Sequence, residues 1–114
     1  MSREKTLDRK VCQLLKDNGA WHVKYWGGGT YTKSGIPDIL ACVNGCFVAV
    51  EDKAENGRPS LLQLKNLEKI RMAGGYGVLL YPDKLNGFER FLKSLMFDDG
   101  LDDSAFRWYV ENIG

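Results

Sequence analysis

The sequence predicts an α/β domain with a mixed sheet, in the order helix, three strands, helix, strand, followed by a further helix. Three observations predict it. The dipeptide Asn44-Gly45 stands between two short apolar runs, the signature of a hairpin closed by a two-residue type I′ turn. Apolar residues recur at helical spacing both before and after that hairpin. The stretch "YGVLLYP", residues 76–82, then reads as a short buried strand, and a strand reached through a helix in this way joins its sheet by a parallel crossover.

The first helix runs from Ser2 to about Asn18, carrying Leu7, Val11, Leu14 and Leu15 on one stripe, with Ser2 as N-cap and Gly19 as its stop. Glu4 lies one turn before Leu7 on the same stripe. It is either an N-terminal acid favoured by the helix dipole, worth about 0.3–1 kcal/mol, or a carboxylate pointing inward at the end of the core. "WHVKYW", residues 21–26, alternates and reads as a strand. "GGGTYTKSG", residues 27–35, is either a plain flexible connection or an arm that orders around a substrate through Lys24, Thr32, Lys33 and Ser34. Its spacing does not match a Walker phosphate loop.

The hairpin strands, 38–43 and 46–52, are apolar on both faces, which predicts a central position covered on both sides. If Asn44 and Gly45 form the turn, Val43 faces Cys46 and the register follows outward to Asp38 opposite Glu51, with Lys53 two residues further on the same face. Asp52 points to the other face, although its backbone carbonyl stays available. Like charges opposite one another destabilise a sheet. Asp38 could be a strand-start acid, with Glu51 and Lys53 an ordinary solvated pair, but the three together ask for a compensating cation. Mg²⁺, usually held by one or two carboxylates, waters and phosphate oxygens, is the simplest candidate.

A helix follows from Ser60 to Ala73, with Leu61, Leu64, Leu67 and Ile70 at helical spacing and Gly74-Gly75 at its end. Ser60 and Gln63 match a capping box. After Pro82 a helix over about 86–96, capped by Asn86, carries Phe88, Phe91, Leu92 and Leu95. A short helix or packed tail around Ser104–Val110 closes the chain, and its Phe106, Trp108 and Tyr109 are expected to pack on the preceding helix rather than to mark a partner surface.

At 114 residues, 44% hydrophobic and 27% charged, the chain is expected to be one soluble domain, intracellular by default, since no apolar run approaches a membrane span and no leader is evident. Net charge is only +1, but the acidic stretch "DDGLDD" at 98–103 leaves the rest distinctly basic. Cysteines at 12, 42 and 46 form no CxxC pair and His22 is alone, so neither a disulfide framework nor a zinc site is expected.

The motifs "SGIPDIL", "VEDK", "GRPSLLQ" and "AGGYGVLLYP", in this order over roughly residues 1–82, resemble the virus-type replication-repair nuclease (VRR-NUC) family of the PD-(D/E)XK nuclease superfamily. The resemblance implies a restriction-endonuclease-like α-β-β-β-α-β core, with residues 83–114 as a C-terminal helical extension. It implies a nuclease dependent on Mg²⁺ or Mn²⁺, with Asp38 and Glu51 as ligands, the Asp52 carbonyl as a further ligand, Lys53 as the motif lysine and Gln63 as the motif glutamine. Glu4 takes the place of the acid on the first helix. Stand-alone members, mostly of bacteriophage type, are similar to compact homodimeric relatives of archaeal Holliday junction resolvases. Branched or junction DNA is the implied partner, gripped through its backbone by Lys24, Lys33, Ser34, Arg58 and Lys65, in the cytoplasm of a bacterial host. A catalytically silent DNA-binding or assembly module on the same fold is the alternative.

Overall fold

The computed structural model describes residues 3–25, 34–97 and 103–112. Ser2, Trp26, Thr32, Lys33 and most of the acidic stretch at 98–103 lie outside them. The elements are α1 (Arg3–Asp17), β1 (Trp21–Lys24), β2 (Ile39–Val43), β3 (Cys46–Asp52), α2 (Leu61–Met72), β4 (Tyr76–Leu80), a single 3₁₀ turn (Pro82–Lys84), α3 (Leu85–Leu95) and α4 (Asp103–Glu111). The sheet order is β1-β2-β3-β4, with two antiparallel pairings and then a parallel one between β3 and β4. This is the mixed sheet flanked by helices that the sequence predicts.

Asn44 and Gly45 both have positive φ, 50° and 82°, as a type I′ turn requires, and the ladder they start pairs Val43 with Cys46 and Ile39 with Val50. The register expected from the turn is therefore the register observed. One sheet face, built from Ile39, Ala41, Val43, Val48, Val50, Val78 and Leu80, packs with Leu7, Val11 and Leu15 of α1 and with Phe88, Phe91, Leu92 and Leu95 of α3 to form the core.

On the opposite face α2 lies close over β3 and β4. A Cβ at Gly77 would come within 2.8 Å of the Leu67 carbonyl oxygen, so only glycine permits that approach. On that face β2 is covered only in part. Cys42 is exposed and Leu40 half-buried, which corrects the expectation of cover on both faces.

Two helix expectations also change. In α2 Leu64, Leu67 and Ile70 turn inward as expected, joined by Gln63 and Asn66, whereas Leu61, in the first turn, is 86% exposed. The third helix starts at Leu85, so Asn86 lies inside it and makes no cap. The Pro82 turn supplies the start that a capping side chain was expected to give.

The outer edge of β4 is closed by α4. Gly77 N–H donates to the Tyr109 hydroxyl at 3.2 Å and Leu79 N–H to the Asn112 carbonyl at 3.1 Å, so two edge donors find partners off the ladder. Trp108 and Tyr109 pack their rings against Phe88, Phe91 and Tyr76, as expected of a packed tail, whereas Phe106 remains exposed. Among the described residues no helix is long and apolar enough to cross a membrane.

Candidate active site

The hairpin register brings Asp38, just ahead of β2, to the end of β3. Asp38 is held at two points: its carbonyl accepts from Tyr25 N–H at 2.8 Å, and its Oδ2 accepts from Asp52 N–H at 2.8 Å. Glu51 stands beside it with only 1% of its surface exposed. Lys53 Nζ lies 3.5 Å from Glu51 Oε2, and Gln63 Nε2 donates to the same oxygen at 3.3 Å. Both partners thus converge on Oε2, while Glu51 Oε1 is buried with no hydrogen-bond partner among the described residues.

Burial, then the charge of Asp38 and a hydrogen bond with it, push the Glu51 carboxyl up to about 8, with Lys53 pulling the other way. A buried, unpartnered carboxylate oxygen beside a second acid is a costly arrangement unless a cation completes it. The donor set fits a hard divalent ion, which takes carboxylate, carbonyl and water oxygens. No three Asp, Glu, His or Cys side chains among the described residues form a closed cage, so backbone carbonyl, water or substrate oxygens would complete the shell.

Gln63 serves two purposes. Its Oε1 accepts from Ser60 N–H at 2.8 Å and its N–H donates to Ser60 Oγ at 3.1 Å, completing the capping box, while Nε2 remains for Glu51. The cap therefore fixes the rotamer that presents the amide to the acid.

Glu4, near the start of α1, is half-buried and within electrostatic reach of this group. Burial and the charges of Asp38 and Asp8 raise its carboxyl, against Lys53 and Lys24. It does not join Asp38 and Glu51 as a third ligand of a closed cluster.

Lys24, expected as a DNA contact, has a partner within the protein. Its ammonium is turned inward to Asp8 Oδ2 in a short ion pair, with 26% of the side chain exposed. Burial alone would lower its affinity for a proton, but the hydrogen bond and charge of Asp8 reverse that and raise it. Arg58 and Lys65 are exposed, Arg58 in a cleft of about 360 Å³ with Glu55, Asn56, Gly57 and Tyr81. Ser34 is exposed, and its carbonyl and that of Gly35 accept from Asn66 Nδ2 at 3.4 and 3.0 Å. Lys33 lies outside the described residues.

Sequence reasoning missed two residues that shape this region. Asn66 ties the end of the glycine-rich segment to α2, and its signal was a polar residue one turn from Gln63 on the inward stripe. Asp8 is 6% exposed and faces Asp52. Its signal was its position one turn after Glu4, next to Leu7.

A mixed sheet that carries two acids and a lysine on one face at the end of a hairpin, with a helical glutamine behind the acid, is the arrangement of the PD-(D/E)XK nuclease superfamily. Within it, the family model described as archaeal Holliday junction resolvase (Hjc) matches residues 1–81, and the chain belongs to that family. The chain is 28% identical over 95 residues to the crossover junction endodeoxyribonuclease Hjc of Sulfurisphaera tokodaii, a span of 81% of this chain and 66% of that relative's length. No solved structure gives a significant match.

Proposed function

We propose that this protein is a metal-dependent endodeoxyribonuclease that hydrolyses phosphodiester bonds in branched DNA, with four-way junctions as its preferred substrate. The observation that carries the reading is the unpartnered Glu51 Oε1, beside Asp38 and on the face that also presents Lys53. Family membership and the name of the S. tokodaii relative support the junction substrate.

Asp38 and Glu51 would hold the ion, Mg²⁺ or Mn²⁺, with the Asp52 carbonyl as a further ligand and Glu4 reaching the shell directly or through water. When bound, such an ion lowers the pKa of water and offsets charge on a phosphate. The chain's own groups do the rest. The Asp52 N–H fixes the Asp38 carboxylate, and Gln63 fixes Glu51. Lys53, with 13% of its side chain exposed, places a positive charge where negative charge grows on the attacked phosphate.

Arg58, Lys65, Lys33 and Ser34 would contact the DNA backbone, giving binding that depends on salt more than on sequence. Lys24 is left out of this grip because Asp8 engages it. A homodimer would present two such sites, one for each of two strands of a junction. The motifs' likeness to the VRR-NUC family supports the narrower reading of a phage-type enzyme working in a bacterial host.

The test is cleavage of matched labelled linear duplex, single-stranded, flap and four-way junction DNA in Mg²⁺ or Mn²⁺, with Glu51→Gln beside the wild type. Metal-dependent cutting of the junction, lost in the variant, is the expected result. Tight binding without products from any substrate would make the protein a silent DNA-binding module instead.

A further inference from the structure

The loop between β3 and α2 carries Lys53 at its start, Arg58 further on, and at its end Ser60, which caps α2 together with Gln63. Two backbone hydrogen bonds set its course. Lys53 N–H donates to the Leu80 carbonyl at 2.9 Å, which carries the β3–β4 pairing past the end of β3. Gly57 N–H donates to the Ala54 carbonyl at 2.8 Å, which closes a β-turn. A Cβ at Gly57 would lie 3.2 Å from the Ala54 carbonyl oxygen and 3.4 Å from Lys53 Cβ, so the turn folds back on the root of the Lys53 side chain. From outside the loop one side chain holds it: the Tyr81 hydroxyl donates to the Gly57 carbonyl at 2.8 Å.

That carbonyl belongs to the Gly57–Arg58 peptide, so the hydroxyl fixes the plane from which the Arg58 side chain leaves the backbone. Tyr81 is well placed to do so. It follows Leu80, fully buried at the end of β4, and precedes the Pro82 turn, so its own backbone is held on both sides. Tyr81 and Arg58 line one cleft with Glu55, Asn56 and Gly57. The charge of Glu55 is met by Arg3 at 3.0 Å, and Arg58 pairs with no carboxylate among the described residues. The cleft thus holds one unbalanced guanidinium, a group whose fork of donors matches phosphate oxygens.

We infer that Tyr81 is a positioning residue for DNA binding: its hydroxyl holds the Gly57–Arg58 peptide so that Arg58 is presented to a backbone phosphate in this cleft. The inference rests on the reading of Arg58 as a backbone contact, and it gives Tyr81 no part in the hydrolysis. Without the hydroxyl the arginine keeps its charge, but the loop must be ordered when phosphate binds, so affinity falls while the chemistry does not.

The test is the Kd of a labelled four-way junction for the metal-free protein, read by fluorescence anisotropy over a series of salt concentrations, for the wild type, Tyr81→Phe, Arg58→Gln and the double variant. Arg58→Gln should weaken binding and lower the slope of log Kd against log salt by about 1, the loss of one phosphate contact. Tyr81→Phe keeps the ring and loses only the hydroxyl. It should weaken binding about fivefold, the worth of one neutral hydrogen bond, and move the slope toward that of Arg58→Gln. In the Arg58→Gln background it should change neither quantity further. Cleavage in Mn²⁺ should show the loss in KM, with kcat within about twofold of the wild type.

A Tyr81→Phe variant that keeps the wild-type Kd and slope, or that loses as much in the Arg58→Gln background, would overturn the inference. So would one whose melting curve shows no folded state, since the hydroxyl would then serve the fold rather than the arginine. Wild-type Kd and slope in Arg58→Gln would overturn the reading of Arg58 as a DNA contact, and this inference with it.

Discussion

Two acid pairs hang from adjacent residues of β3 and face opposite sides of the sheet. On the α2 side Glu51 meets Asp38, with Lys53 alongside. On the α1 side Asp52 meets Asp8, with Lys24 alongside. The composition is the same, two carboxyls and a lysine, and Glu51 and Asp52 are both buried. What separates them is how the lysine and the remaining oxygens are used. Lys24 is in direct contact with Asp8 Oδ2, and Asp8 Oδ1 and both Asp52 oxygens are buried with no hydrogen-bond partner among the described residues, enclosed between α1 and the sheet. Lys53 stands off at 3.5 Å and shares its one acceptor with Gln63, which leaves Glu51 Oε1 open beside the half-buried Asp38. Open oxygens occur on both faces, so what sets the α2 side apart is access: Asp38 is half-buried beside Glu51, whereas Asp8 and Asp52 are both enclosed.

The strongest way to break this comparison is to neutralise one acid on each side. Glu51→Gln and Asp38→Asn should each lower the rate of junction cleavage by on the order of 10³-fold or more, since each removes a charge that the ion and the phosphate need. Asp52→Asn, isosteric and on the face away from Lys53, should cut at close to the wild-type rate. Cleavage by Glu51→Gln at wild-type rate, or its loss in Asp52→Asn alone, would reverse the assignment of the two faces.

Next in size is the effect of removing each lysine on stability. Lys24→Met leaves the Asp8 charge buried without its partner and should cost about 2 kcal/mol, at the low end for a buried pair because Lys24 is partly exposed. Lys53→Met should cost much less, or nothing, because the two acids it serves can take up a proton in its absence. Urea denaturation of both variants without metal checks the order. The comparison fails if Lys53→Met is the more destabilised.

The pH dependence sharpens the contrast further. Glu51 and Asp52 both have carboxyls raised in the folded state, to about 8 for Glu51. Between the unfolded value near 4.5 and the folded one, the native state holds protons that the unfolded chain has released, so stability falls as pH rises through that window. Without metal, the melting temperature should drop by on the order of 10 °C between pH 5 and 8. Saturating Mn²⁺ should remove the Glu51 share, because the ion takes the place of the proton, and leave the Asp52 share. Glu51→Gln should mimic the metal in this respect. A melting curve that is flat with pH, or one that Mn²⁺ leaves equally steep, would count against the assignment.

The two faces also differ in how much the sequence discloses. Asp38 and Glu51 lie on one hairpin, and a single Asn-Gly turn sets the register for every pair beyond it. Their juxtaposition therefore follows from counting residues, and Gln63 follows from the capping box three residues into α2. Asp8 and Asp52 meet only because α1 packs on the sheet at a particular rotation and depth, and no local rule fixes that. The contact of Lys24, a residue expected at the DNA backbone, with Asp8 is hidden for the same reason: its partner lies on another element, sixteen residues earlier. The cover of β2 was misjudged because an apolar run reports what a strand could bury, not which helix arrives to bury it.

The smallest effect distinguishes the two tasks of Gln63. Ser60→Ala removes the hydroxyl that accepts from Gln63 N–H, at a cost of about 1 kcal/mol, and leaves the side-chain contact to Glu51 in place. Gln63→Ala removes the side-chain half of the box, which accepts from Ser60 N–H, and the contact with Glu51, and keeps the backbone donor to Ser60 Oγ. The two variants should thus be destabilised by similar amounts, while only Gln63→Ala loses cleavage rate, by about tenfold for one neutral hydrogen bond to the acid. Equal rate losses in both would mean that the cap matters to the site only by holding α2 in place, and that the amide itself does nothing for Glu51. Gln63→Glu separates the possibilities once more. It retains an acceptor for Ser60 N–H and so most of the cap, but brings a third carboxyl against Glu51 Oε2, and its rate should fall below that of Gln63→Ala.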